Sequence, residues 1–274
     1  MKRLIKALRG VAYTVIPAEL ALVVCLLAGV RPPAAAVTAT EAAMLLLLLA
    51  EAAVFVRLRR QGHSNRSAVR ELVPESVLRL IGHELKLMWS IVLWTARRRS
   101  GVGPGEQAFG HARDQAALLY GFAFVCVVET VGMSYLLGDW PIAHGIVLFL
   151  DVYTVIFVIG LHAASVTRPH TLSGDTLRLR QGAHIDLRIP LERIESVRYD
   201  VVFTHAKEEG VLNMAVGSQT SLTLELCEPV TAVRLLGREY EVRTVRCHAD
   251  DARAFLRALT QARNALAPSP GPPV

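Results

Sequence analysis

The sequence predicts an α+β membrane protein: four transmembrane helices in two hairpins plus an interfacial helix, then a C-terminal β-barrel capped by one helix. Three observations predict this fold. Four apolar runs are each long enough to cross a bilayer, and lysine and arginine crowd beside one end of these runs. The hydrophobic period then changes from helical to two near residue 168. The mean hydropathy of +0.37 agrees with several segments lying in lipid.

The charge and the cysteines exclude several classes of function. The net charge of +6 does not indicate nucleic-acid binding, because the basic residues flank apolar runs and no nucleic-acid motif occurs. The four cysteines have no zinc-ligand spacing and imply no disulfide framework. Cys227 and Cys247 lie in predicted strands, with His248 next to the second. We expect no metal, no cofactor and no nucleic-acid partner.

The first hairpin is predicted to have spans at about 11–30 and 34–56, joined by a turn at 31–33. A cleaved signal peptide is the alternative, because an Ala-x-Ala sequence occurs at 34–36. The first run has the ~20 residues that a helix needs to cross hydrocarbon, however, and the second run begins almost at once. These features favour a retained hairpin.

The segment 75–96 has helical spacing and two faces. A fifth span there would bury the charged residues Glu84 and Lys86 in lipid and would move the distal domain outside. An interfacial helix with Trp89 and Trp94 near the headgroups fits better. The apolar stripe consists of Val77, Ile81, Leu85, Met88 and Val92, and the opposite stripe of Arg79, His83, Lys86, Ser90 and Arg97.

The second hairpin is predicted to have spans at about 116–137 and 142–166, with a turn at 138–141. An arginine run at 97–99 and a glycine-rich stretch at 101–105 precede it and read as a surface linker. Positive charge decides sidedness. Four Lys/Arg lie before residue 10 and eleven lie from Arg57 to Arg113, whereas the short turns carry only Arg31. Both termini are therefore predicted to be cytoplasmic.

Residues 169–267 are predicted to form one strand-rich domain beyond a membrane domain of residues 1–168. Alternating strands are expected near 177–179, 185–189, 194–203, 222–226, 230–236 and 240–247, and 204–220 reads as a long loop or hairpin. The pair Glu228-Pro229 is expected to form a turn. One amphipathic helix with Phe255 and Leu259 on its apolar face follows, with Asp250 as its N-cap. Residues 268–274 are proline-rich and predicted to be disordered.

Short motifs carry a resemblance to a known class of proteins. The stretch Thr171-Leu172-Ser173 to Leu177-Arg178-Leu179, then Gly182 and an Ile-Pro-Leu-x-x-Ile motif at 189–194, resembles bacterial membrane-anchored PH-like domains. The hairpin, from Glu129-Thr130-Val131-Gly132 to Arg168-Pro169-His170, is similar to uncharacterised actinobacterial membrane proteins that carry this module. The resemblance implies a PH-like barrel and a multi-pass protein of the bacterial cytoplasmic (inner) membrane, with both termini inside. It supplies no catalytic residues.

Acidic residues inside the spans are candidates for a polar site. Glu129 and Asp151 each lie roughly 12–13 Å from the outer end of their helix, so the two carboxyls could meet at one level. In one interpretation they share a proton or bind a cation, helped by His144, Tyr135 or Tyr153. In the other they are neutral acids that join the helices by hydrogen bonds. Further intramembrane acids are Glu19 and Glu51, which could pair similarly, and Glu41 near the outer boundary.

Arg178, Arg180 and Arg188 lie where PH domains bind headgroups, and they form a candidate headgroup or partner surface. No motif carries the headgroup-binding role over to them, and a solvated outer strand face is the favoured explanation. We expect a non-catalytic scaffold or regulatory subunit that presents a cytosolic PH-like domain to membrane lipids, a protein partner or a second copy. The alternative is a small proton- or ion-coupled transporter, a channel or an intramembrane enzyme that uses Glu129 and Asp151.

Overall fold

The computed structural model describes residues 2–27, 31–206 and 208–266. The predicted disordered tail and the end of the first predicted span lie outside these residues. The chain forms two compact units. The first comprises Met1–Arg79 and Thr130–Leu150, and the second comprises Leu80–Glu129 and Asp151–Val274.

Among the described residues, four helices are long and apolar enough to cross a membrane, and each overlaps one of the four predicted spans. Many of their large apolar side chains are exposed, which suits surfaces that face lipid. Two shorter helices lie between the hairpins, and the second of them occupies the segment predicted to be interfacial. The helices are α1 (Lys2–Leu27), α2 (Ala34–Arg60), α3 (Asn65–Leu72), α4 (Glu75–Thr95), α5 (Arg113–Leu136) and α6 (Pro141–Thr167).

The first unit holds its helices together by a small apolar cluster and two long-range hydrogen bonds. Ile5 of α1 packs with Val54 and Leu58 of α2. The Arg9 guanidinium donates from Nε to the carbonyl of Leu72, at 2.9 Å, and α3 is thereby tied to α1. These contacts place α3 against the start of α1.

In the second unit, α4 packs on α6 with the face that was predicted to be polar. His83, Leu87 and Ser90 are buried, and a Cβ on Gly160 would lie 3.3 Å from the Leu87 Cβ. The prediction for His83 and Ser90 was wrong because this face meets α6 rather than water. The opposite stripe, including Leu85, remains exposed.

The strand-rich region consists of two four-stranded sheets. The first has the order β1-β2-β3-β4 and is antiparallel throughout, and the second has the order β5-β7-β8-β6 with β6 parallel to β8. The strands are β1 (Gln107–Phe109), β2 (His170–Leu172), β3 (Thr176–Gln181), β4 (Ile185–Pro190), β5 (Ile194–Val202), β6 (Val211–Met214), β7 (Thr220–Val233) and β8 (Glu239–Cys247).

The predicted closed barrel is not what the structure contains. In the part of the chain that the structure describes, no strand ladder joins the two sheets, so they are open. Pro190 ends β4 without an N–H to extend pairing, and a short 3-10 helix, Leu191–Arg193, takes the chain to the second sheet. The final helix α7 (Ala252–Leu266) packs against β5 and β7 and buries Phe255 and Leu259 completely in the core.

Two strand predictions also need correction. Glu228 and Pro229 form no turn, because β7 runs through them as one strand. The pairing of β7 with β8 shifts register between Glu225 and Val230, and such an irregularity accommodates a proline in a strand. The segment 204–220, predicted to be a long loop or hairpin, contains β6, whose partner is the distant strand β8.

The first strand of the first sheet comes from before the second hairpin. β1 precedes α5, and it pairs with β2, which follows α6. The α5–α6 hairpin is therefore inserted between two neighbouring strands. Phe109 of β1 stacks on Phe255 with ring centroids 4.5 Å apart, so this short strand also joins the core.

Candidate functional site

Residues 110–114 and 167–171, where the chain enters α5 and leaves α6, form what we call the hairpin foot. Asp250 fastens the first of these segments. Its backbone N–H donates to the Gly110 carbonyl at 2.8 Å, and its Oδ1 accepts from the Arg113 N–H at 3.0 Å. The Asp250 carboxylate therefore caps the N-terminus of α5.

Asp250 was predicted to be the N-cap of α7, and this prediction was wrong because Asp250 caps α5 instead. Asp251, not Asp250, caps α7, since its Oδ1 accepts from the Ala254 N–H at 2.9 Å. The fit at Gly110 is close, because a Cβ there would lie 2.6 Å from Asp250 Oδ2. Adjacent aspartates thus begin two different helices.

Three buried histidines lie in or next to the hairpin foot: His111 and His170 belong to it, and His248 packs beside it. The rings of His111 and His170 stack with centroids 4.5 Å apart. His170 Nδ1 lies 3.1 Å from the backbone N–H of Arg180, and its Nε2 lies 2.9 Å from the His248 carbonyl. Because the Arg180 N–H can only donate, Nδ1 must accept and Nε2 must carry the hydrogen. This geometry holds His170 in one neutral tautomer.

Burial opposes a charge on the stacked rings. It lowers the pKa of His111 to about 4, with smaller contributions from His248 and Arg180. Burial also takes the pKa of His170 well below its ordinary value, and the neighbouring His111 adds to this effect. Among the described residues, neither ring nitrogen of His111 has a hydrogen-bond partner. Both rings are therefore neutral near pH 7.

The first turn of α5 also rests on the turn before β7. Gln219 Nε2 donates to Asp114 Oδ2, and His248 Nε2 lies 3.2 Å from the same oxygen. Gly217 has a φ of +57°, and a Cβ there would lie 3.1 Å from the Asp114 carbonyl oxygen. A glycine is favoured at this position on both counts.

The three predicted surface arginines share one face of the first sheet but have different environments. Arg178 forms a bidentate ion pair with Asp186, with both contacts at 2.6 Å. Arg180 is only 3% exposed and donates to the carbonyls of Pro169 and Ser100, each at 2.8 Å. Arg188, opposite Arg178 across the ladder, is exposed. Of the three, only Arg188 is both exposed and outside an ion pair.

Sequence reasoning missed Arg168, the first residue after α6, which joins these three in what we call the arginine cluster. Arg168 Nε and Arg180 Nη2 are buried and have no partner among the described residues. Burial lowers the pKa of Arg168, and it lowers that of Arg180 to about 10.

The nearby carboxylates only partly balance this charge. The hydrogen bond from Arg178 holds the pKa of Asp186 below its ordinary value against the effect of burial, and Glu106 is the other acid that acts on the cluster. Four guanidinium groups against two carboxylates leave a positive face beside the end of α6. Such a face suits an anionic group.

The intramembrane acids Glu129 and Asp151 lie at similar levels but are not joined. In the second unit, Tyr120 meets His162 with ring centroids 4.8 Å apart. At ~1.5 Å per residue, Glu129 lies ~14 Å along α5 from Tyr120, and Asp151 lies ~16 Å along α6 from His162 in the same direction. No hydrogen bond between them occurs in the described residues; Glu129 is exposed, whereas Asp151 Oδ2 is buried without a partner there.

The other polar candidates have separate partners. The Tyr153 hydroxyl interacts with Glu84 of α4, and His144 Nε2 lies 3.0 Å from Ser134 Oγ. Glu19 and Glu51 are both half-buried, and no hydrogen bond connects them in the described part of the first unit. The structure therefore brings together the hairpin foot rather than a cluster of intramembrane acids.

The hairpin foot can anchor a domain and attract an anion, and its polar groups are mostly engaged in capping and backbone hydrogen bonds.

Within residues 2–27, 31–206 and 208–266, no group of three or more His, Cys, Asp or Glu could hold a metal ion. Sequence reasoning did not bring His111, His170 and His248 together, because they lie far apart in the chain and form no motif with one another. No protein-family model, no curated protein and no solved structure matches this chain.

Proposed function

We propose that this chain is a non-catalytic scaffold or regulatory subunit of a bacterial inner membrane, which presents a PH-like interaction domain on the cytoplasmic face. The pairing of β1 with β2 across the α5–α6 hairpin is the observation that carries the proposal. Since the strands on both sides of the hairpin are hydrogen-bonded neighbours, the domain is held by two chain connections. A domain on a single flexible linker would not keep a fixed orientation.

The hairpin foot reinforces this attachment. Asp250 caps α5, and Arg180 bridges the carbonyls of Ser100 and Pro169, which lie before β1 and after α6. Rigid presentation of this kind suits a protein that holds one surface at a set distance from the membrane. The PH-like assignment rests on the order of mostly antiparallel strands, with β6 parallel to β8, followed by one amphipathic helix.

The arginine cluster is the surface that we assign to anionic headgroups of the cytoplasmic leaflet. Arg168 directly follows α6, so the cluster lies beside the end of a span. Basic residues at an anionic membrane surface contribute about 1 kcal/mol each. Arg188 is the member that solvent reaches most freely, and it is therefore the position to test.

The test compares full-length Arg188→Glu with Arg238→Glu, which reverses an exposed arginine in the loop between β7 and β8. Each variant is reconstituted in nanodiscs, and phosphatidylglycerol that co-purifies after dilution into neutral lipid is measured. We expect a loss of retained anionic lipid with Arg188→Glu alone. Equal retention by both variants and the wild type would contradict headgroup binding at this face.

A second candidate function, proton- or ion-coupled transport, is favoured by the buried, unpartnered Asp151 Oδ2 in the described part of α6. Asp151→Asn and Glu129→Gln are tested in liposomes for proton flux, with Glu41→Gln as the exposed control. Flux in the wild type that both substitutions abolish, with normal protein accumulation, would replace the scaffold proposal. An absence of flux in the wild type and in all three variants supports the scaffold proposal.

A further inference from the structure

An apolar stripe runs along β5, an edge strand of the second sheet, and continues one residue beyond its end. Tyr199, Val201 and Phe203 are 48%, 40% and 66% exposed. The pairing of β5 with β7 shifts register between Tyr199 and Val202, so strict alternation of faces is lost within this stretch. Two aromatic rings and a valine exposed within five residues at a free sheet edge call for an explanation, since apolar side chains exposed together at an edge mark contact surfaces.

The stripe lies beside the start of α5. Val202 pairs with Thr220, and the residue before Thr220, Gln219, donates to Asp114 in the first turn of α5. Tyr199 and Val201 also line a cavity of about 290 Å³ together with Asp114. The end of β5 is therefore at the level where α5 begins its span.

We propose that Tyr199, Val201 and Phe203 form a membrane-contact surface that rests in the boundary between headgroups and acyl chains around α5. This inference rests on the proposed function and names a second, apolar lipid contact of the same domain. Tyrosine and phenylalanine suit such a boundary because an apolar ring lies beside a polar region.

Cationic side chains near the stripe also suit contact with lipid headgroups. Arg113 and Arg253 are exposed, and the Arg253 guanidinium lies 5.7 Å from the centroid of the Tyr199 ring. These two cations can meet lipid phosphates, although Asp114, Asp250 and Asp251 line the same cavity. The stripe and the arginine cluster would then touch lipid beside α5 and α6 respectively.

The size of the stripe argues for lipid over a second copy of the chain. Three partly exposed side chains offer a few hundred Å² at most. A stable protein interface buries about 800 Å² on each partner. A small contact area is sufficient for lipid, because the lipid around a membrane-spanning α5 is not held in place by the stripe.

The test uses full-length protein with Cys227, the one exposed cysteine among the described residues, replaced by serine. Phe203→Cys and, as a matched exposed control, Leu236→Cys are labelled with the fluorophore NBD and placed in nanodiscs containing one copy. The Cys227→Ser protein alone measures background labelling. Lipids with a nitroxide at the headgroup act as the quencher. We expect blue-shifted emission that loses most of its intensity at position 203, and unshifted, unquenched emission at position 236.

Equal emission and quenching at the two positions would overturn the inference. So would a blue shift at position 203 that occurs only in discs with two copies, because the stripe would then be a contact between copies. A failure here is distinguishable from failure of the proposed function, since anionic-lipid retention by Arg188→Glu is measured separately. Both positions are exposed, so neither substitution removes a core contact.

Discussion

At the residue scale, His170 is the most constrained side chain of the hairpin foot. One ring nitrogen faces a backbone N–H and the other a backbone carbonyl, so a second ring proton would point at a donor. His111 stacks on this ring, and Arg180 adds positive charge nearby. Protonation of His170 must therefore break a hydrogen bond and place its positive charge near that of Arg180.

We predict that the domain loses stability as the pH falls from 6.5 towards 4. His111 and His170 have folded-state pKa values below the ordinary value, so the unfolded chain binds more protons in this range and the free energy of unfolding falls with pH. For His111 alone the full effect is about 3 kcal/mol. Thermal unfolding in detergent, followed between pH 7 and pH 4.5, measures it.

His111→Phe is the control for this prediction. Phenylalanine keeps the stacked ring, and His111 has no hydrogen-bond partner among the described residues to lose. We expect stability near that of the wild type at pH 7 and a weaker decline in acid. A pH profile identical to that of the wild type would show that His111 does not titrate on unfolding.

Asp250 gives a second prediction at this scale. Asp250→Ala removes the cap of α5 and is expected to lower the free energy of unfolding by about 1–2 kcal/mol. Hydrogen exchange should accelerate at residues 111–115. Asp251→Ala, which removes the cap of α7, should accelerate exchange in α7 and leave 111–115 protected. The reverse pattern would contradict the assignment of the two caps.

At the element scale, the insertion of the α5–α6 hairpin into the first sheet decides how the second unit is built. β1 has three residues and little strand-like pattern, and it is a strand because β2 supplies its partner. α4 similarly depends on its neighbour, because its buried face meets α6 at Gly160. Neither element is specified by its own residues alone.

Gly160→Leu is predicted to separate α4 from α6. A Cβ at this position is already 3.3 Å from the Leu87 Cβ, so the larger side chain cannot fit without displacing α4. Hydrogen exchange across residues 83–94 should rise several-fold. Gly121→Leu in α5 is the matched control, since a Cβ there meets nothing within 4 Å. Unchanged exchange in Gly160→Leu would exclude this packing.

At the scale of the whole molecule, the charge flanking the spans predicts one arrangement in the membrane. We expect a reporter fused after Val274 to be active only in the cytoplasm, because fifteen lysines and arginines flank one set of helix ends and a single arginine flanks the other set. The protein should also stay in the pellet after carbonate extraction. A reporter active only outside the cytoplasm, or a protein that carbonate releases, would refute the arrangement.

Features that depend on neighbouring residues in the chain were predicted well. The four spans follow from the length of each apolar run, and the alternation of Leu177, Leu179 and Leu187 with arginine and aspartate predicted strands that exist. The helix at 75–96 was found, but its buried face was not predicted. His83 and Ser90 look polar in sequence and are buried on the face of α4 that carries Leu87, which packs against α6.

The sequence by itself determined that this protein has four membrane-length apolar helices and a strand-rich C-terminal region, because apolar length and hydrophobic period are local properties. Only the tertiary structure decided that the sheets stay open, that β1 joins them from before the hairpin, and that Asp250 caps α5. It also decided that His111 and His170 are stacked and neutral. The physical reason is distance along the chain: the Asp250 carboxylate and the N–H that it caps are 137 residues apart, and no local pattern records such a contact.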